Sequence, residues 1–294
     1  MILLIGGTSE TAPLATGLAA AGYGVLVSTA TDAPLAIGDH PRISRREGRL
    51  DETGMIALAE EKGIRVLIDA AHPYAVAVHA AAQKAAARLR IPCLVFRRPA
   101  ALSPDDERPN DAVPAGGTMP DPAAQRQYGK WGQLPESGAG SAAGSSIRFA
   151  ADHAEAAEMA FAFGRPVLVT TGSRNLASYS EAARRTGIPL TVRVLDIPES
   201  LDACRAAGIP EDRIIAGRGP FSVEENLAAI GRFGIGVIVT KDSGRSGGVE
   251  AKLDAARQAN CRVIVIRRPQ TPTGGPVFDD LATLITVLKG IGIC

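Results

Sequence analysis

Short apolar runs closed by turn residues recur along the chain, and most lead into an alanine-rich segment of helical length. The clearest is Val237-Ile-Val-Thr240, which passes into Lys241-Asp-Ser-Gly244 and then, beyond Gly247 and Gly248, into a helix. A β-branched run bounded by glycines and charges predicts a buried strand. The same pattern predicts strands over 2–5, 25–29, 65–69, 167–170, 190–194 and 213–216. Helices are predicted over 10–21, 51–62, 151–163, 199–207 and 279–289. Strands that alternate with helices in this way build parallel α/β sheets.

Two matches of the chain to itself organise these elements. Sliding it by 171 positions pairs 42–68 with 213–239 without a gap, with identities that include Arg42/Arg213, Gly48/Gly219, Gly63/Gly234 and Val66/Val237. An offset of 165 lays Ile2-Leu-Leu-Ile-Gly-Gly-Thr8 over Val167-Leu-Val-Thr-Thr-Gly-Ser173. Two later strands close on the same triplet, Arg97-Arg98-Pro99 and Arg267-Arg268-Pro269. A repeat of this length is the mark of a doubled α/β unit. We therefore expect an α/β protein of two Rossmann-like parallel-sheet domains, 1–164 and 165–294, whose strand-end loops face each other across a cleft. Helix 151–163 corresponds by position to helix 279–289, so the first domain is expected to close at Gly164. Between about 101 and 147 the pattern lapses into Pro, Gly and Ser, which predicts a mobile insertion holding Tyr128, Lys130 and the single tryptophan, Trp131.

Composition narrows the classes. The chain is 46% hydrophobic but only 4% aromatic, the filling of helix-covered parallel sheets rather than of aromatic-rich binding surfaces. Its 32 basic and 31 acidic residues leave a net charge of +1, too little to gather nucleic acid or an anionic membrane. No apolar run approaches a bilayer-spanning length. Met1-Ile-Leu-Leu-Ile5 lacks a basic leader and stops at Gly6-Gly7, so a monomer in the cytoplasm is expected. Cys93, Cys204, Cys261 and Cys294 show no metal-ligand spacing; they read as small core residues, and no metal is expected.

Candidate chemistry collects where strands end, the edge on which open α/β sheets bind ligands. Gly6, Gly7, Thr8 and Ser9 form a glycine- and hydroxyl-bearing turn at a helix N-terminus, suited to a dinucleotide's phosphates. The second strand ends on Ser28 and Thr29 instead of the acidic residue that would hold a ribose 2′-hydroxyl, and Arg45 and Arg46 end the third. That set favours NADPH over NADH; Asp32, beyond the strand end, argues the other way. Asp69, His72 and Tyr74 leave the fourth strand, and Pro73 stops it. Ser173, Arg174, Arg218, Lys241, Ser243 and Arg245 add hydroxyls and cations with almost no carboxylate pair among them, which suits a large polyanion. Acyl-transfer and metal-hydrolase motifs are missing, and Tyr74 has Val78 rather than Lys four residues on, against a Tyr-x-x-x-Lys dehydrogenase.

Taken in order, Ile5-Gly-Gly-Thr-Ser-Glu10, Asp69-Ala-Ala-His-Pro-Tyr-Ala75, Thr170-Thr-Gly-Ser-Arg174, Gly217-Arg-Gly-Pro-Phe-Ser222 and Thr240-Lys-Asp-Ser-Gly244 with Glu250 and Lys252 resemble the precorrin-6A reductase family of cobalamin biosynthesis. The resemblance covers the chain outside 101–147. It implies NADPH-dependent reduction of one double bond in an anionic tetrapyrrole, precorrin-6A, to precorrin-6B. A cobalt-loaded substrate with NADH or NADPH is the neighbouring alternative, and a non-catalytic two-domain ligand sensor is the rival class. Arg174, Arg218, Lys241, Ser243 and Gly244 are then candidates for holding substrate carboxylates. Tyr74, His72 and Lys241 are the candidate catalytic residues, with Tyr74, His72 or solvent supplying the proton.

Overall fold

The structure is a computed structural model and describes residues 1–30, 37, 40–97, 99–102, 106, 147–244, 248–269 and 274–292. In its first half the elements run β1 (Ile2–Ile5), α1 (Thr11–Ala20), β2 (Val25–Thr29), β3 (Ile43–Glu47), α2 (Glu52–Lys62), β4 (Val66–Asp69), α3 (Val76–Leu89) and β5 (Cys93–Phe96). Then come β6 (Ile147–Ala150), α4 (His153–Phe161), β7 (Val167–Val169), α5 (Ala177–Thr186), β8 (Leu190–Val194), α6 (Pro198–Ala206) and β9 (Ile214–Ala216). The remainder is α7 (Val223–Phe233), β10 (Val237–Lys241), α8 (Val249–Gln258), β11 (Arg262–Ile266), β12 (Val277–Phe278) and α9 (Leu281–Gly290).

Local sequence sets the helix ends. Asp51 accepts from the Gly54 amide at 2.8 Å to open α2, and Gly63 closes it at φ 61°, a left-handed conformation that glycine adopts without strain. Ser222 and Glu225 exchange hydrogen bonds with each other's backbone to open α7. Asp152 accepts from the amides of Ala154 and Glu155 to open α4, and Asp280 from that of Thr283 to open α9.

The strands form two six-stranded parallel sheets, β12-β5-β4-β1-β2-β3 and β6-β11-β10-β7-β8-β9. Counted from the central strand of each, both have the doubly wound order, with the direction of winding reversing beside β1 and beside β7. In the first sheet, alternation sends Ile2, Leu4, Val25, Val27, Val66 and Ile68 to one face, where they meet Leu14 and Leu18 of α1 and Leu284 and Leu288 of α9. Leu3, Ile5, Leu26 and Leu67 point to the other face and pack on Met55 and Ala59 of α2 and Ala82, Ala85 and Ala86 of α3. Each such buried leucine or isoleucine contributes about 1.5–3 kcal/mol.

The domain boundary expected at 164 needs correction. One compact unit is Met1–Pro99 with Arg268–Cys294, and the other is Ala100–Arg267. Each sheet's sixth strand is the one that the repeated order of elements would assign to the other sheet. β6 pairs with β11 (Val265↔Phe149), whereas β12 pairs with β5 (Val95↔Val277). α4 packs against β11 and α5, and α9 against α1 and β12. The positional correspondence of the two helices holds; their destinations are exchanged. Neighbours in sequence usually pack together, which is why residue 164 looked like an end. Strand pairing overrides that tendency here, because each short sixth strand completes the opposite sheet.

Cys93, Cys204 and Cys261 form no disulfide; Cys204 and Cys261 are buried and Cys93 is half-buried, and burial pushes Cys93 and Cys261 up to about 11. Among the described residues no helix is long and apolar enough to cross a membrane. Tyr128, Lys130 and Trp131, with Thr31, Asp32, Arg98, Arg245, Gly247 and Cys294, lie outside the described residues.

Candidate active site

In the first unit, the turn after β1 is shaped by its two glycines. A Cβ at Gly6 would collide with Thr11, and Gly7 stands at φ 115°. The Gly6 amide donates to Ser28 O at 3.0 Å. Thr11 Oγ1 accepts from the amides of Gly7 (2.9 Å) and Thr8 (3.1 Å). Two of the amides expected to meet a phosphate are thus gathered by a side chain of their own helix, and an anion there would compete with Thr11 for them. Thr8 Oγ1 points to Ala70 O at 3.4 Å, and Ser9 Oγ donates to Glu10 at 3.0 Å. Beside this turn a crevice across the ends of β1, β4 and β5 is lined by Thr8, Glu10, Ala70, Ala71, Pro73, Phe96 and Arg97. The Arg97 Nε within it is buried without a partner, and such a donor favours an anionic ligand.

Ser28, Thr29, Arg45 and Arg46 come together because β2 and β3 pair in register, Ser28 opposite Arg46 and Val27 opposite Arg45. Arg46 donates to Ser28 Oγ at 3.0 Å, and Arg45 to Thr29 Oγ1 at 3.2 Å. Arg45 also pairs with Glu47 at 3.4 Å. Two guanidinium forks are thereby oriented at the end of the sheet next to the first turn.

His72 and Tyr74 share the loop after β4, with ring centroids 5.6 Å apart. What holds that loop is a pair that sequence reasoning missed. Asp69 and His79 are both buried, with His79 Nδ1 at 2.6 Å from Asp69 Oδ2 and His79 Nε2 at 3.1 Å from His72 O. Asp69 Oδ1 also accepts from the Ala71 amide at 3.2 Å. Both ring nitrogens face oxygen acceptors, so the imidazole bridges the strand end to the loop. The signal was available in α3: His79 lies on its buried stripe with Ala82, Ala85 and Ala86.

In the second unit, β10 ends on half-buried Lys241, held below the ordinary lysine range first by burial and then by Arg174. Asp242 is buried and shapes the turn, accepting from the amides of Gly244 (3.0 Å) and Ala101 (3.1 Å). Gly244, at φ 76°, therefore has its amide committed within the loop. Ser243 donates its amide to Lys241 O at 2.9 Å. Arg218 is exposed in the loop after β9, and Arg174 is the cation whose charge reaches Lys241.

The exchanged helix α4 brings His153 to this edge. Its Nδ1 lies 2.9 Å from the Tyr179 hydroxyl and its Nε2 3.0 Å from Asn175 Nδ2. Burial, with Lys241 adding repulsion, lowers His153 to about 4, so it is neutral beside the lysine. Burial raises the Tyr179 hydroxyl, which stays protonated. No sequence pattern marked His153, because it reaches the site only through the exchange of β6 and α4.

Among the described residues no cluster of three or more His, Cys, Asp and Glu could hold a metal ion. The family model described as precorrin-6x reductase CbiJ/CobK matches residues 1–113 and 135–289 and so reaches into both ends of the segment expected to be an insertion. The chain is 31% identical to the cobalt-precorrin-6A reductase of Salmonella typhimurium over 284 residues, 96% of this chain and 92% of that one. It is 28% identical to the precorrin-6A reductase of Rhodococcus erythropolis, covering 97% and 95%. A solved structure described as CobK precorrin-6A reductase shares the fold with a TM-score of 0.71 and 24% identity, covering 99% of this chain and 97% of that one. The chain belongs to the precorrin-6x reductase family.

Proposed function

We propose that this protein reduces one ring double bond of precorrin-6A to give precorrin-6B, with NADPH as reductant. The observation that carries the choice of cofactor is the interlocked end of β2 and β3. Ser28 and Thr29 occupy the place of a ribose-binding carboxylate, and they orient Arg46 and Arg45 toward the same edge. A 2′-phosphate supplies the negative charge that two guanidinium groups attract. The turn at Gly6 and Gly7, and Arg97 with its buried Nε, fit the remaining anionic part of a dinucleotide.

A bound dihydronicotinamide supplies the hydride. The chain's own residues hold the macrocycle and deliver the proton. Lys241 and Arg174 carry positive charge at the ends of β10 and β7, where carboxylate arms can pair with them. Tyr74 and His72 are the candidate proton donors, and solvent is the alternative to both. The Asp69–His79 bridge fixes the loop from which both project, so positioning rather than an acid–base pair carries much of the rate. Both macrocycle types belong in the test, because relatives carry both cobalt-precorrin-6A and precorrin-6A names.

Comparison of NADPH and NADH dissociation constants at fixed ionic strength tests the cofactor. Tighter binding of NADPH is expected, with the preference lost in an Arg46→Ala variant; tighter binding of NADH contradicts the reading.

A further inference from the structure

Arg193, near the end of β8, is only 6% exposed, and the groups that meet it are neutral. Its Nη1 donates to Asn226 Oδ1 at 2.6 Å, and its guanidinium lies 4.2 Å from the centroid of the Phe221 ring, a cation–π contact. A buried cation is a costly way to fill a core. What this one supplies is direction. Asn226 is buried near the start of α7, and only the oxygen of its amide can accept from a guanidinium. The bond from Arg193 therefore turns the amide nitrogen the other way, where it donates to Phe221 O at 3.3 Å and to Ser222 O at 2.7 Å.

Those two carbonyls end the loop 217–222, which leaves β9. At the other end of the loop, Gly217 donates its amide at 3.0 Å to the carbonyl of Val194, the residue after Arg193. Between these ties the loop curls round the Phe221 ring. A Cβ on Gly217 would lie 3.2 Å from that ring, and one on Gly219 3.4 Å. Arg218, between the two glycines, is left exposed.

The first unit holds the corresponding turn from the neighbouring strand. Arg46 of β3 donates to Ser28 Oγ of β2 at 3.0 Å and to Gly48 O at 2.9 Å. Ser28 and Gly48 stand where the second unit has Arg193 and Gly219. Arg46 is half-buried and still meets solvent, whereas Arg193 is shut in, and the cation that faces outward from this place in the second unit is Arg218.

We propose that Arg193 is a positioning residue: through Asn226 and Phe221 it fixes the loop 217–222 so that Arg218 meets a carboxylate arm of the substrate. Naming that substrate as precorrin-6A rests on the function proposed above; the hold on the loop does not.

The test uses the full chain with Arg193→Met, Arg193→Lys, Arg218→Ala and the Arg193→Met, Arg218→Ala double variant. Amide hydrogen exchange is read first, without substrate. Arg193→Met is expected to speed exchange across 217–222 about tenfold or more while β7 and β10 keep their protection. Equal loop protection in wild type and variant would overturn the hold. Phe221→Leu, which removes the ring from a half-buried loop position, is read in the same way and carries the test should Arg193→Met not fold. Steady-state constants follow. Arg193→Met and Arg218→Ala should each raise KM for precorrin-6A about tenfold, with kcat within about twofold and NADPH binding unchanged. Because one acts through the other, the losses should not add, and the double variant should match Arg218→Ala. Arg193→Lys keeps a charge against Phe221 and should recover part of the loss. Additive losses would overturn Arg218 as the group positioned, and a fall in kcat with KM unchanged would overturn the role in substrate binding. A wild type that neither binds nor reduces precorrin-6A would refute the proposed function and the substrate role of Arg218, and the exchange data would still decide the hold on the loop.

Discussion

The two units share a frame and differ in how they treat charge. β1 pairs with β4 as β7 pairs with β10, Ile2 opposite Val66 in one and Val167 opposite Val237 in the other. Asp51 and Ser222 cap corresponding helices, and each sheet is completed by the sixth strand that the repeated order would give to the other. Within that frame the first unit buries a hydrogen-bonded pair, Asp69 and His79, while the positions corresponding to them in the second unit are Thr240 and Glu250. The second unit instead buries Arg193 and Lys252 and half-buries Lys241. Backbone topology is set by the alternation of apolar residues and tolerates both solutions. The charged side chains that differ lie at strand ends and in the helix turns after them, the edge on which open α/β sheets face ligands.

The largest effect is expected from breaking the first unit's pair. His79→Ala leaves Asp69 buried without its partner, which should cost about 3–5 kcal/mol in denaturant unfolding. A loss below about 1 kcal/mol would mean that the pair is not closed as described. The exchange of final helices is tested by Leu284→Ala. This residue of α9 is fully buried in the first unit's core, so about 2–5 kcal/mol should be lost, with faster amide exchange in β1 and β5. If protection falls only in strands of the second unit, the assignment of α9 is wrong.

The second unit's excess charge makes its own prediction. Lys252 is lowered from 10.5 to about 8 by folding. Between those values the unfolded chain binds the extra proton, so stability should rise with pH through that window. The destabilisation is fully present below about 8 and gone above about 10.5. Relative to Lys252→Met, the wild type should gain on the order of 2–3 kcal/mol across the window. Parallel pH profiles would contradict the buried cation.

Smaller effects are expected at the exposed edges. Lys241→Ala should raise the Michaelis constant for the macrocycle at least about tenfold, equivalent to roughly 1.4 kcal/mol. Unchanged steady-state constants would move substrate binding away from β10. An unchanged turnover in a Tyr74→Phe, His72→Ala double variant would leave water as the proton donor.

Much of the frame was legible in the sequence because its signals are local. Apolar runs placed the strands, and the turn at Gly6 marked the edge for ligands. What escaped depended on partners distant in the chain. β12 spans only two residues and β6, Ile147-Arg-Phe-Ala150, is interrupted by a charge, and their pairing with β5 and β11 is decided only when the sheets assemble. Leu190-Thr-Val-Arg-Val194 alternates like a half-exposed strand, yet all five residues are buried because helices cover both faces. That alternation concealed Arg193. His79 was hidden by the opposite effect, a single polar residue on the buried stripe of an alanine-rich helix whose partner, Asp69, lies on the preceding strand.

The most direct measurement of the central claim is anaerobic incubation of the purified protein with NADPH and either metal-free or cobalt-loaded precorrin-6A. Nicotinamide absorbance and product mass are followed together. The account predicts consumption of one NADPH for each macrocycle, and a product heavier by the mass of two hydrogens, with at least one of the two substrates. No NADPH consumption above background and no change in mass with either macrocycle would contradict it.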